Sequence, residues 1–147
     1  MSQLHEYKTF MDLGKGGKPP AGYWKICVHL VFDVKHDGHH KSRLVADRHL
    51  TEVLLNSVYS GVVSLCRICL LVLLAELNNL DVWATDIGNA YLEVETQEKV
   101  YIIVGPEFGV LEGHTLIIFK ALYGLRTSGL HWHEHFANCL CDMGFQP

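Results

Sequence analysis

The sequence lacks the long apolar runs that place a chain in a membrane. Its longest uncharged apolar run, residues 68–75, falls well short of the ~20 residues that a membrane-spanning helix needs. The N-terminus also lacks the apolar core of a secretion signal. We therefore expect a soluble, intracellular protein that makes no contact with a membrane.

An excess of positive charge is missing as well. The 147 residues carry 12 Lys and Arg against 16 Asp and Glu, a net charge of −4 with ten histidines counted as neutral. Proteins that bind nucleic acid usually cluster Lys and Arg against the phosphates. Any such surface must be local here, or must lie in a part of the protein outside this chain.

Several chemical signatures are also absent. The five cysteines form no regular framework, which favours reduced thiols over a disulfide scaffold. The Gly/Lys cluster at residues 14–18 lacks the Gly-Lys-Ser/Thr ending of a phosphate-binding loop, and the sequence contains neither a dinucleotide fingerprint nor a nucleophile elbow. Cys66 and Cys69 lie inside an apolar segment rather than at a helix start, which favours core thiols over a redox pair.

The composition present is that of one globular domain. Hydrophobic residues make up 49% and charged residues 19% of the chain, enough apolar material for a core. Residues 1–21 are polar and end in a Gly- and Pro-rich stretch, which predicts a flexible leader. We therefore expect the folded domain to cover residues 22–147.

A β-hairpin is predicted near the start of that domain. Residues 23–35 alternate apolar and polar side chains, as a half-buried strand does. Asp37-Gly38 is a strong hairpin-turn signal, and residues 39–46 form the return strand.

Helices and strands alternate in the rest of the chain. Ser60 as N-cap, with Gly61 at the first helical position, predicts a helix that runs to about Asn78. This helix is apolar nearly all round and should be buried against a sheet. Further elements are a strand at 80–85, strands at 100–104 and 115–120, and a helix ending near 143 before Gly144. The expected fold class is mixed α/β (α+β).

Asp86 stands at the end of the predicted strand 80–85. A carboxylate at such a position suits Mg²⁺, which prefers a few carboxylate oxygens together with substrate phosphates. On spacing alone, an aspartate that caps the next turn is the more common case.

The residues around Asp86 favour the metal. Residues 86–92 (Asp-Ile-Gly-Asn-Ala-Tyr-Leu) resemble the first catalytic motif of reverse transcriptases from copia-type LTR retrotransposons. The resemblance implies that Asp86 binds the catalytic Mg²⁺ or Mn²⁺, with the backbone carbonyl of Ile87 as a second ligand. It also implies that Tyr91 lies under the sugar of the incoming nucleotide.

The predicted hairpin is a second block of resemblance. The family reads Trp-Val-Phe-Lys-Val-Lys, a turn, then Lys-Ala-Arg-Leu-Val-Ala, where this chain has residues 30–35 and 41–46 (Leu-Val-Phe-Asp-Val-Lys and Lys-Ser-Arg-Leu-Val-Ala). In this family the hairpin belongs to the fingers, so Lys41 and Arg43 would meet the nucleotide triphosphate. Ammonium and guanidinium groups offer charge-assisted hydrogen bonds to phosphate. Without the resemblance, a solvated hairpin with scattered cations would be the simpler interpretation.

A third block covers residues 120–136. Its start, Lys-Ala-Leu-Tyr-Gly-Leu-Arg, is similar to the family's Lys-Ser-Leu-Tyr-Gly-Leu-Lys, the second polymerase motif, which packs under the template base and the nucleotide. Tyr123, Gly124 and Arg126 are the nucleotide-binding residues that this similarity implies. Gly129 replaces the family's proline where the following helix starts.

Taken together, the resemblance implies part of a right-hand polymerase fold: the fingers and the first part of the palm. The implied partners are an RNA template, a DNA primer and deoxynucleoside triphosphates, and the implied reaction is two-metal nucleotidyl transfer. The family's other catalytic carboxylates lie in a Tyr-x-Asp-Asp hairpin, and no Asp-Asp pair occurs in this sequence. We expect this chain to be inactive on its own, and a sheet edge left bare would favour self-association.

A non-catalytic protein that binds nucleic acid or metal is the alternative. His131, His135 and Cys139 recur at i, i+4 spacing and would share one helix face, a spacing that can bind zinc. A polar helix face that happens to carry histidines accounts for the same pattern.

Overall fold

The computed structural model describes residues 4, 6–47 and 62–145. The chain is a mixed α/β protein, as the sequence predicted. Its strands are β1 (Phe10–Lys15), β2 (Trp24–Lys25), β3 (Val28–Val34), β4 (His40–Ala46), β5 (Val100–Ile103) and β6 (His114–Ile118). Its helices are α1 (Leu65–Leu77), α2 (Ser128–Asp142) and two short 3₁₀ helices, Ala90–Glu93 and Pro106–Leu111.

A four-stranded sheet in the order β1-β6-β5-β2 carries the core. β6 pairs antiparallel with both β1 and β5, while β2 runs parallel to β5. The core side chains come from this sheet, from the end of β4 and from the segments that pack on them. Its buried members are Ile26, Leu44, Ala46, Leu92, Val100, Ile102, Val104, Phe108, Leu116, Ile118, Leu122 and Leu125.

The prediction of a flexible leader over residues 1–21 is wrong for residues 10–15, which form a strand of the four-stranded sheet. Phe10–Lys15 forms β1 and pairs with β6, with Phe10 opposite Ile118, and Thr9 is fully buried. Because four consecutive residues of β6, 115–118, are buried, its backbone groups cannot be left to water and require a neighbouring strand. The glycines of residues 14–17 hid this strand, since they break the alternation that identifies one.

The predicted strand 23–35 is divided in two. β2 belongs to the four-stranded sheet, and the chain then changes partner, so that among the described strands β3 pairs only with β4. Ile26 lies at the change and is 1% exposed, with its amide donating to the carbonyl of Tyr101. Phe32 and Val34, two apolar residues of the alternating stretch predicted to be a half-buried strand, are 76% and 59% exposed because the hairpin extends beyond the core.

The hairpin itself is confirmed. β3 and β4 pair antiparallel over their full length, with Asp33 opposite Lys41. Gly38 has φ +81°, a left-handed conformation that glycine adopts without steric cost. The Asp37 carboxylate accepts a hydrogen bond from the amide of His39 at 3.1 Å, which fixes the turn.

α1 begins later than predicted and is not buried. Its N-cap is Ser64, whose hydroxyl accepts from the amide of Arg67, while Ser60 and Gly61 lie outside the described residues. Its one buried residue is Ala75. Nothing in the described part of the chain covers the apolar surface of α1, so the expected packing against a sheet is wrong for these residues.

The predicted strand 80–85 does not form. Residues 80–87 have no regular secondary structure, and Trp83 is 91% exposed. A strand needs a neighbour to pair its amides and carbonyls, and within residues 4, 6–47 and 62–145 none lies beside this segment.

The C-terminal elements agree with prediction. β6 occupies the β-rich run, and α2 ends before Gly144, which has φ +90°. The amide of Phe145 returns to the carbonyl of Leu140 at 3.0 Å, as in a glycine-terminated helix. No helix in the described ranges is long and apolar enough to cross a membrane.

Candidate functional site

The three blocks of resemblance meet at Tyr123. The rings of Tyr91 and Tyr123 lie 4.7 Å apart between centroids, edge to face at 66°. On its other side, the carbonyl of Tyr123 accepts a hydrogen bond from the amide of Ala46 at 2.7 Å, and Tyr123 forms a β-bridge with Val45. Residues that are distant in sequence are therefore joined through one tyrosine.

Gly124 allows this contact. Its φ is +93°, and a Cβ built on it would overlap the carbonyl oxygen of Ala46. The family similarity implied that Gly124 contacts the nucleotide. The close neighbour in the structure is the backbone of β4.

The other residues of this loop differ in their exposure to solvent. Leu125 is 2% exposed and packs in the core, while Arg126 is half-buried and the Tyr123 side chain is exposed. The aromatic ring of Tyr123 is thus accessible, while the loop backbone is fixed by the hydrogen bond from Ala46 and by the burial of Leu125.

Two anchors of the loop were missed in the sequence. The Glu98 carboxylate accepts hydrogen bonds from both the amide and the hydroxyl of Thr127, and the Ser128 hydroxyl donates to the carbonyl of Leu122 at 2.7 Å. Thr127-Ser128 before a helix is a recognisable cap signal. No local signal identifies Glu98, because it lies 29 residues away.

Asp86 does not belong to a cluster of three or more potential metal ligands in the described part of the chain. Asp86 and Ile87 are exposed on the segment that precedes Asn89, which has a left-handed φ of +53°. Leu92 is the buried residue of the following 3₁₀ helix, which also contains Tyr91. Among the described residues, no group of three or more His, Cys, Asp or Glu could hold a metal ion. These residues therefore do not form a two-metal site by themselves.

The hairpin cations share their face with a carboxylate. Arg43 Nη1 lies 3.4 Å from Asp33 Oδ2, and Lys41 is directly opposite Asp33 in the ladder. Directly opposed residues and those two apart lie on one face of a hairpin. Asp33 stands where the family has a lysine, so this face carries less positive charge than the resemblance implied.

The structure does not gather the predicted zinc ligands. His135 Nε2 lies 3.8 Å from Cys139 Sγ, on the exposed side of α2. His131 instead directs Nδ1 towards Glu134 at 3.7 Å, and its buried Nε2 has no hydrogen-bond partner among the described residues. One helical turn separates the histidines, but His131 packs inward.

Comparison with known proteins agrees with the sequence blocks. A family described as reverse transcriptase (RNA-dependent DNA polymerase) matches residues 7–147, nearly the whole chain. The chain belongs to this family, and its assignment to the copia type is confirmed. The match includes β1, which the sequence had placed in the leader.

Two relatives are transposon polyproteins of Saccharomyces cerevisiae. The Transposon Ty1-NL2 Gag-Pol polyprotein is 33% identical over 119 residues, 78% of this chain and 7% of the relative. The Transposon Ty1-BL Gag-Pol polyprotein is 33% identical over 107 residues, 71% of this chain and 6% of the relative. The chain thus spans less than a tenth of either polyprotein, and no solved structure matches it.

Proposed function

We propose that this chain supplies the fingers and the first part of the palm of an intracellular RNA-directed DNA polymerase. The observation that carries the proposal is the contact of Tyr123 with both Tyr91 and β4. This contact brings the three blocks that define the family into one place. A right-hand polymerase needs such a junction, because the fingers and palm must hold one nucleotide between them.

The nucleotide would lie across this junction. Lys41 and Arg43 would bind the triphosphate through charge-assisted hydrogen bonds. Tyr91 would lie under the sugar, and the exposed ring of Tyr123 with the neighbouring Arg126 would face the base pair. The RNA template and DNA primer would extend along the same face.

Asp86 would contribute one carboxylate to a divalent cation, Mg²⁺ or Mn²⁺, in a complete domain. Its exposure leaves the oxygens open to a cation. Two-metal nucleotidyl transfer needs ligands on both sides of the ions. Because the described residues form no group of three or more potential metal ligands, this chain by itself should not extend a primer.

Binding and extension test the two halves of this proposal. Fluorescence anisotropy of a labelled RNA template annealed to a DNA primer should show binding that weakens with salt. Lys41→Gln with Arg43→Gln should reduce the slope of log K against log salt by about 1.5. Lys18→Gln with Lys99→Gln removes the same charge from exposed sites outside the hairpin and is the matched control.

Absence of binding by the wild-type chain would overturn the proposed nucleic-acid site. Primer extension should be undetectable with either Mg²⁺ or Mn²⁺. Extension that disappears in Asp86→Asn would instead show that the chain is active as it stands.

A non-catalytic nucleic-acid-binding protein is the second candidate. The lack of any group of three or more potential metal ligands among the described residues favours it, because binding through Lys41 and Arg43 needs no metal. Affinity for the duplex that is unchanged by adding Mg²⁺ and by Asp86→Asn would support this candidate over the polymerase segment.

A further inference from the structure

Glu98 caps a helix to which it does not belong. It lies two residues before β5, and its Oε1 accepts hydrogen bonds from the Thr127 amide at 2.9 Å and the Thr127 hydroxyl at 2.8 Å. Thr127 is the N-cap residue of α2, yet its own side chain makes no capping hydrogen bond. Glu98 thus does what the Glu of a capping box does, since it accepts from the backbone amide of the N-cap residue, but it comes from another element.

A second contact closes the loop from inside. Ser128 is 2% exposed and donates its hydroxyl proton to the carbonyl of Leu122, which is also buried. Residues 123–126 therefore form a loop whose two ends, the loop base, are fixed: Leu122 on one side, and Thr127 with Ser128 on the other. The exposed Tyr123 ring and the half-buried Arg126 both belong to this loop.

Burial and charge make the Glu98 contact strong. Thr127 is 6% exposed, so its amide and hydroxyl have little access to water as an alternative partner. Hydrogen bonds to a carboxylate are stronger than those to a neutral oxygen, and a negative charge is favoured at a helix N-terminus. Glu98 Oε2 is buried and finds no partner in the described part of the chain, so both hydrogen bonds from Thr127 reach this carboxylate at Oε1.

We propose that Glu98 and Thr127 are positioning residues for the nucleotide contacts of residues 123–126. They act by fixing the ends of the loop, which maintains the hydrogen bond from the Ala46 amide to the Tyr123 carbonyl and the ring contact between Tyr123 and Tyr91. The inference rests on the proposed function for its nucleotide part, while the effect on the loop can be measured independently.

Four variants of the chain test this role. Thr127→Val keeps the shape of the side chain but removes its hydroxyl, and Glu98→Ala removes the acceptor. Thr127→Ser keeps the hydroxyl and should rescue. Glu95→Gln, at an exposed carboxylate three residues from Glu98, is the matched control.

Two readouts separate positioning from general stability. Amide hydrogen exchange at residues 123–126 should accelerate at least tenfold in Thr127→Val and Glu98→Ala, at a temperature where circular dichroism shows each variant folded. Calorimetric titration with deoxythymidine triphosphate and Mg²⁺ should show affinity at least fivefold weaker in both. Thr127→Ser and Glu95→Gln should match the wild type in both measurements.

Unchanged exchange at residues 123–126 would overturn the proposal, as would acceleration spread evenly over the chain. Accelerated exchange with unaltered nucleotide affinity would reduce Glu98 to a structural cap and overturn the nucleotide part. If the wild-type chain does not bind the nucleotide, the proposed function fails. The exchange result then decides alone whether Glu98 positions the loop.

Discussion

Gly124 and Ala46 are in backbone contact, so close that a Cβ on Gly124 would overlap the carbonyl oxygen of Ala46. The contact joins the loop before α2 to the last residue of the hairpin. The adjacent hydrogen bond from the Ala46 amide to the Tyr123 carbonyl makes the junction two-sided. Its geometry requires both the absence of a side chain and a positive φ at one position.

Substitution of Gly124 should therefore be costly. Gly124→Ala combines a left-handed φ with overlap of backbone atoms, and we expect a loss of about 2–5 kcal/mol in the free energy of unfolding. Urea denaturation measures it. Gly38→Ala also has a positive φ but open space around the added Cβ, so about 1 kcal/mol is expected there. Equal losses in the two variants would show that the contact with Ala46 adds nothing.

Asp33 should restrain phosphate binding by the hairpin. Asp33→Asn releases Arg43 from its 3.4 Å ion pair and should tighten binding of the RNA–DNA duplex about two- to fivefold, the range that a partly exposed pair allows. Anisotropy titrations at fixed salt measure the change. Asp37→Asn alters the net charge equally but lies in the turn, so a similar gain there would trace the effect to net charge and contradict a role for the pair.

The pairing of β1 with β6 should weaken in acid. The Gly14 amide at 2.7 Å, and then the His114 ring at 2.9 Å, lower the pKa of the Asp12 carboxyl below its usual value. Because the folded-state pKa is the lower one, this contribution is complete above about pH 4 and is lost as the pH falls through the folded value. Asp12→Asn should be less stable than the wild type at neutral pH, with the difference shrinking towards pH 2.

Urea denaturation at a series of pH values from 2 to 7 measures this dependence. Glu112→Gln removes an exposed carboxylate elsewhere on the surface and serves as the control. A stability difference between Asp12→Asn and the wild type that stays constant over the whole series would rule out the proposed linkage.

The exposed surface of α1 should cause self-association. Leu70 and Leu74 are 55% and 50% exposed and lie one turn apart on the same face. The sequence predicted association through a bare sheet edge, but this helix exposes an apolar surface of the kind that marks contacts between proteins. Leu70→Glu with Leu74→Glu should shift the chain towards monomer in sedimentation velocity at micromolar concentration.

Val110→Glu is the control for that experiment, since Val110 is 95% exposed but lies outside α1. Association that persists in the α1 double variant and disappears in Val110→Glu would place the contact elsewhere. A monomeric wild-type chain would contradict the prediction altogether.

Turns and helix ends could be predicted from the sequence because they depend on neighbouring residues. The turn at Asp37-Gly38 and the helix stop at Gly144 depend on backbone preferences of single residues and their immediate neighbours. The alternation from Ile26 to Leu30 identified the buried side of the strand for the same reason. The blocks around Asp86, Arg43 and Tyr123 identified the family through their residue types and their order along the chain.

Pairings between distant segments could not be read in this way. The residues around Phe10 contain no signal that this segment pairs with β6. The residues around Ile26 likewise contain no signal that the chain passes from one sheet to the other. The segment 80–85 has a strand's composition yet lacks a neighbour among the described residues. Strand formation depends on such neighbours more than on intrinsic propensity.

The sequence by itself determined the family, the hairpin, the approximate position of β6, the end of α2, and the residue types available at the site. Only the tertiary structure decided that Tyr123 joins Tyr91 to β4, that Glu98 holds Thr127, and that Asp33 pairs with Arg43. The physical reason is range: turn and capping chemistry act within about four residues. Hydrogen bonds and close contacts between elements exist only after the chain has brought distant residues together.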